Sequence, residues 1–132
     1  MRKYKISEQE INIILQEVDK RIKSAEHSIS GGFYRDSISR SYYAILDISR
    51  ALLLKNNLVA KTHAGTITLF GLHFVKNNLI AAKYGRIFNK VAQARIEADY
   101  ELLKKFDKQD AKQILLEAKD FIKEVKKLIN NN

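Results

Sequence analysis

Ile11, Leu15, Val18, Ile22, Ala25 and Ile29 recur at alternating steps of four and three residues. Ala111, Leu115, Ala118, Ile122, Val125 and Ile129 repeat the pattern a hundred positions later. A helix brings residues three and four apart onto one face, so each set is one apolar stripe on a helix. Such stripes are stable only when buried, and two of them call for a bundle of helices around a shared core. The chain has no proline. That removes the residue most damaging inside a helix, at about 3 kcal/mol per position. No segment alternates apolar and polar residues for long enough to argue for a strand.

Local signals divide the chain into five helices. Ser7 and Glu10 have the Ser-x-x-Glu spacing of a capping box and open the first, and Gly31-Gly32 stops it. The second is expected over 34–54, with Ile38, Tyr42, Ile45, Ile48 and Leu52 inward. Leu46, Ala51 and Leu53 widen its apolar face, so this helix should be central and buried on more than one side. Lys55-Asn56-Asn57 ends it. Thr62 is the expected N-cap of a short third helix carrying Ile67, Phe70 and Phe74, closed by Asn77-Asn78. The fourth is expected over 80–104, with Ile87, Val91, Ala94, Ala98 and Leu102 as its stripe. Asp107 caps the fifth, and Asp110 lies in its first turn, where the helix dipole favours a negative charge. Residues 130–132 read as a frayed tail. The expected fold is all-α: an up-and-down bundle of four long helices plus one short helix, forming a single domain over 1–132.

Composition narrows the chemistry. With no cysteine there is no disulfide framework, thiol nucleophile or thiolate metal site, and a cytoplasmic setting is the default. The start of the chain is basic, but no apolar run follows, so neither a signal peptide nor a membrane association is expected. The net charge of +9 suits RNA, DNA or an acidic protein, or simply a lysine-rich solvated surface. His27, His63 and His73 have no close-spaced ligand pair, so no metal site is expected, and no cofactor. Neither phosphate-binding glycine pattern, Gly-x-x-x-x-Gly-Lys or Gly-x-Gly-x-x-Gly, is present.

Several short motifs fall in a telling order. Arg40-Ser41-Tyr42-Tyr43-Ala44 lies early in the second helix, and Lys61-Thr62-His63-Ala64-Gly65 opens the third. Leu69-Phe70-Gly71 and Phe74-Val75-Lys76 follow. Gly85-Arg86-Ile87 and Arg95-Ile96-Glu97-Ala98-Asp99-Tyr100 lie on the fourth. This series, over roughly residues 33–125, resembles the HEPN family, in the branch with an Arg-x-x-Ala-Asp-Tyr signature. The resemblance implies a helical bundle, usually dimeric and often encoded beside a minimal nucleotidyltransferase. Several branches are metal-independent ribonucleases acting as toxins or defence effectors. Their motif is Arg, a polar residue, a short spacer and His, with two copies meeting across the dimer. Here Ile96 replaces the polar residue and Tyr100 stands where the histidine would fall. Tyrosine, with a pKa near 10, is a poor base at neutral pH.

Arg95, Asp99 and Tyr100 form the sharpest polar group and are the candidate catalytic residues. Arg95 and Asp99 are four apart and can pair on one face. Tyr100 lies about 140° round a straight helix from Arg95, so it would join them only through a bend, another helix or a second subunit. The group is either an ion pair with a tying tyrosine or a phosphate contact in a dimer cleft. Arg40, Lys61, His63 and Arg86 are the candidate phosphate or nucleic-acid contacts. Arg40 has Asp36 one turn before it and so reads equally as a surface pair. Lys61 and His63 sit at a helix start, whose amides attract anions, though a simple cap with His63 bonded locally fits as well. Tyr42 and Tyr43 read as core or interface rings. The expected function is an interaction module, the partner of a minimal nucleotidyltransferase in a toxin–antitoxin or defence pair. A metal-independent ribonuclease or RNA-binding protein is the alternative, and a nucleotide sensor the third reading.

Overall fold

The computed structural model describes residues 5–131; the basic start, Met1 to Tyr4, and the last tail residue, Asn132, lie outside them. The described residues form α1 (Glu8–Ser30), α2 (Tyr34–Lys55), α3 (His63–Phe70), α4 (Ala82–Tyr100) and α5 (Lys108–Asn130). A π-helical turn, Gly71–Val75, continues α3. No strand occurs among the described residues. The fold is the expected all-α, up-and-down bundle of four long helices and a short one.

The caps form from the residues that signalled them. The Ser7 hydroxyl accepts from the Glu10 backbone N–H, and the Glu10 carboxylate accepts in return from the Ser7 N–H. Asp107 and Asp110 close the same reciprocal pair at the start of α5. Thr62 Oγ1 accepts from the Gly65 N–H at 2.9 Å. After α1, Gly32 takes φ 82°, a conformation glycine adopts without strain. Asn57 and Asn78 do the equivalent at φ 60° and 58°, since asparagine tolerates the left-handed region best among residues with a side chain.

α2 packs against α1, α4 and α5 and also touches α3, which makes it the central helix. Its inner positions Ile38, Ala44, Ile45, Ile48 and Ala51 are fully buried. Ile11, Val18, Ala25 and Ile29 turn the stripe of α1 onto it, and Ala111, Ala118, Ile122, Val125 and Ile129 that of α5. At one end of the core Phe121 meets Phe70, Phe88 and Tyr84, with ring centroids 5.2, 5.5 and 6.3 Å away. α4 passes close to the π turn because position 85 is glycine; a Cβ there would lie 3.3 Å from Val75.

Two expectations need correcting. The fourth helix stops at Tyr100, and Leu102 leaves the stripe to stand 84% exposed. The reason is Arg35, at the start of α2. Its guanidinium donates to the carbonyl oxygens of Ala98 at 2.8 Å and Glu101 at 3.1 Å, and also to those of Glu97, Leu102 and Lys104. A helix leaves its last carbonyls short of partners, and one arginine takes two of those in α4, at Glu97 and Ala98, together with three carbonyls of the chain just beyond it. At the end of α5, Asn130 is still helical and Asn131 is the cap, so the helix extends into the expected tail.

Candidate functional site

Three elements meet around one guanidinium. Arg95 projects from α4 towards the face of α2 that carries Tyr42 and Tyr43, and towards His63 in the first turn of α3. The arginine carbon lies 4.9 Å from the Tyr42 ring centroid and 5.4 Å from that of Tyr43. The two rings meet edge to face at 5.2 Å, and each packs within 6 Å of the His63 ring. The negative faces of aromatic rings stabilise a cation. Arg95 is accordingly held with a side chain only 11% exposed.

Its polar contacts are as specific. One terminal nitrogen lies 3.0 Å from His63 Nδ1 and the other 3.7 Å from Asp99 Oδ2. Asp99 in turn accepts from the Ser39 hydroxyl of α2 at 2.5 Å. The Arg95 Nε–H is buried and has no acceptor among the described residues. Nearby, Arg50 Nε donates to Thr66 Oγ1 at 3.3 Å, and Arg50 shares a shallow pocket of about 390 Å³ with Lys61. On the other side, Arg21 lies over the Tyr43 ring at 5.5 Å while paired to Asp47 at 2.6 Å.

The protonation of His63 follows from this arrangement. Burial, then the positive charges of Arg95 and Arg50, push its pKa below the ordinary histidine value, so the ring is neutral at pH 7. A guanidinium only donates, so Nδ1 must accept, and the single proton of the neutral ring sits on Nε2. Arg95 and His63 therefore both offer N–H donors. The one imidazole lone pair is already taken. The chemistry open to such a pair is donation to an anion; it does not act as a base without first separating. Burial raises the Tyr42 hydroxyl pKa, against the opposing pull of Arg95, so that phenol stays neutral too.

Of the residues singled out by spacing, the structure brings together Arg95, Asp99 and His63. His63 is bonded to Arg95 and not to its own helix start. Tyr100 stands apart: it is the last residue of α4, 72% exposed, and makes no hydrogen bond or ring contact with Arg95 among the described residues. Arg40 is on the surface of α2, 3.8 Å from Asp36, and does not reach Arg95. Lys61 lies exposed beside the His63 turn, and Arg86 is exposed on α4. The sequence reading missed Ser39, Arg50 and the cation-holding role of Tyr42 and Tyr43. The adjacent tyrosines were visible, but their direction is set by which face of α2 meets α4. No group of three or more His, Asp or Glu side chains converges as metal ligands do among the described residues.

An all-α bundle with an arginine–histidine centre at its helix crossings is the class of domain this structure defines. The model of the family described as HEPN domain matches residues 11–128, and the chain belongs to that family. It is 37% identical over 121 residues to "Putative toxin MJ0605" of Methanocaldococcus jannaschii, covering 92% of this chain and 90% of that one. It is 27% identical over 124 residues to "Putative toxin MJ0142" of the same organism, covering 93% and 84%. "UPF0332 protein PH1297" of Pyrococcus horikoshii shares 38% identity over 78 residues, 54% of this chain and 55% of that protein. No helix among the described residues is long and apolar enough to cross a membrane.

Proposed function

We propose that this chain is the HEPN component of a cytoplasmic toxin–antitoxin or defence pair, partnered by a minimal nucleotidyltransferase, and that its Arg95–His63 centre binds the phosphate backbone of RNA. The observation that carries the second half is the 3.0 Å contact from Arg95 to His63 Nδ1, which places the His63 proton on Nε2 and so leaves only N–H donors on both side chains to face an anion. The net charge of +9 supplies long-range attraction to RNA, and Arg50 and Lys61 add cations beside the centre. The names of the Methanocaldococcus relatives support the toxin half. A homodimer that sets two such centres side by side suits a strand running past both.

The test is binding of a labelled single-stranded RNA to wild type and to Arg95→Ala, each checked for folding by circular dichroism. The expected result is a loss of at least tenfold in affinity for the variant, with helicity kept. Equal affinities would overturn the assignment of the centre. Co-expression with a nucleotidyltransferase encoded alongside should restore growth that the chain alone slows. Growth unaffected by the chain would remove the toxin reading.

Metal-independent RNA cleavage is the second reading. What favours it is that a histidine does stand beside the motif arginine, though it comes from α3 and not from the position of Tyr100. For His63 to act as a base, Nδ1 must let go of Arg95. RNA incubated in EDTA with wild type and with His63→Ala decides it: cleavage that disappears in the variant supports this reading, and intact RNA in both removes it.

A further inference from the structure

α1 and α5 pack mainly on α2 and only lightly on each other, which leaves a groove of about 810 Å³ between them on the outer face of the bundle. Two isoleucines, Ile22 of α1 and Ile122 of α5, form its base; Lys119, Lys123, Lys126 and Lys127 line the α5 rim, and Lys23 joins Asp19 and Glu26 on the α1 rim. Five lysines face the groove against two carboxylates, Asp19 and Glu26. Those two are already neutralised across the groove, Asp19 by Lys126 at 3.2 Å and Glu26 by Lys119 at 2.5 Å. Lys23 and Lys123 have no carboxylate partner among the described residues. The groove is thus apolar at its base and carries surplus positive charge at its rims.

We propose that this groove seats an acidic amphipathic helix of a partner protein. Its shape suits a helix. Its walls are residues 19–26 of α1 and 119–131 of α5 and its cap, about 12 and 20 Å at 1.5 Å per residue, and a third helix laid in the seam meets isoleucines below, Lys23 on one side and the α5 lysines on the other. This is how helix-in-groove partners are read: apolar anchors at steps of three and four, with charged flanks facing the rims. The rim pairs are exposed, so partner carboxylates exchange with Asp19 and Glu26 at little cost. The groove has no arginine and no aromatic ring, the two side chains on which RNA recognition most relies. The surface is separate from the Arg95 centre, and the proposal does not rest on the reading given above for that centre.

The probe is a synthetic peptide of about 20 residues, about 30 Å as a helix and so long enough to cover the lined groove from end to end. It carries leucine at steps of three and four and glutamate elsewhere. A scrambled peptide of the same composition destroys the apolar face but keeps the charge. Titration is followed by fluorescence anisotropy with the full chain, with Lys23→Glu/Lys123→Glu, and with Arg95→Ala. Expected is binding of the patterned peptide, at least tenfold weaker binding to the double charge reversal, and unchanged binding to Arg95→Ala. Both variants replace exposed or distant groups, and circular dichroism verifies their fold. No binding, equal binding to the charge reversal, or equal binding of the scrambled peptide overturns the proposal. So does a charge reversal that weakens binding of single-stranded RNA or of phosphatidylserine vesicles while the patterned peptide stays unbound.

Discussion

At the scale of single residues, Arg95 does several things no other side chain could do at once. It lies on two tyrosine rings, donates to His63 and pairs with Asp99. Lysine keeps the charge but has no planar fork to reach two partners in different directions. Arg95→Lys should therefore cost about 1–3 kcal/mol of stability, as the loss of charge-assisted hydrogen bonds does, read from urea denaturation. A loss indistinguishable from zero would mean that the guanidinium geometry is incidental. His63 gives a pH signature. Its folded pKa is depressed, so the unfolded chain binds a proton that the native chain resists. Stability should then fall as pH drops below about 6.5, the unfolded value, and level off below the folded value. His63→Gln should flatten that part of the melting-temperature profile between pH 7.5 and 5. Identical profiles would contradict the depressed pKa. The Arg95–Asp99 pair was legible because a four-residue step fixes it within one helix. His63 was not legible as its partner, because the meeting of α3 with α4 is set by packing 32 positions apart in the chain.

At the scale of elements, the end of α4 is decided from another helix. Spacing alone carries the apolar stripe on to Leu102, and propensity offers no reason to stop at Tyr100. Arg35, 63 positions before Ala98, collects the terminal carbonyls and turns the chain towards α5, with Phe106 packed 5.4 Å from the guanidinium. A long-range cap of this kind leaves no local signature. By contrast the N-caps at Ser7, Thr62 and Asp107 were readable, because a side chain bonding three residues ahead is a local event. Arg35→Ala should fray the last turn of α4. Hydrogen exchange should quicken at amides 97–104 and stay unchanged at the first turn of α5, and overall stability should fall by about 1–3 kcal/mol. Protection of 97–104 equal to wild type would show that the turn is held by something else. Because Asp99 lies in that turn, the same variant tests whether the cap also positions the Ser39–Asp99 bond beside Arg95.

At the scale of the whole molecule, periodicity revealed more than motifs did. The breadth of the apolar face on α2 placed that helix at the centre, and the stripes on α1 and α5 faced inward as their steps required. Periodicity could not show how the aromatic rings cluster. Phe70, Phe88 and Phe121 come from α3, α4 and α5, and each is at most 1% exposed. Phe121 touches both of the other rings and Tyr84, so it joins α3, α4 and α5 into one packed end. Truncating a buried phenylalanine to alanine costs about 3–5 kcal/mol, from lost transfer energy and the cavity left behind. A domain of this size is held by only about 5–15 kcal/mol in total. Phe121→Ala should therefore shift the urea midpoint strongly downward while leaving the denaturant slope near the wild-type value, since the same surface is exposed on unfolding. Phe33→Ala is the control, because Phe33 is 65% exposed and its loss should shift the midpoint little. If Phe121→Ala costs less than about 1.5 kcal/mol, well under the expected range, the three helices do not share one close-packed ring cluster. α3, which presents His63 to Arg95, would then be anchored by something other than that core.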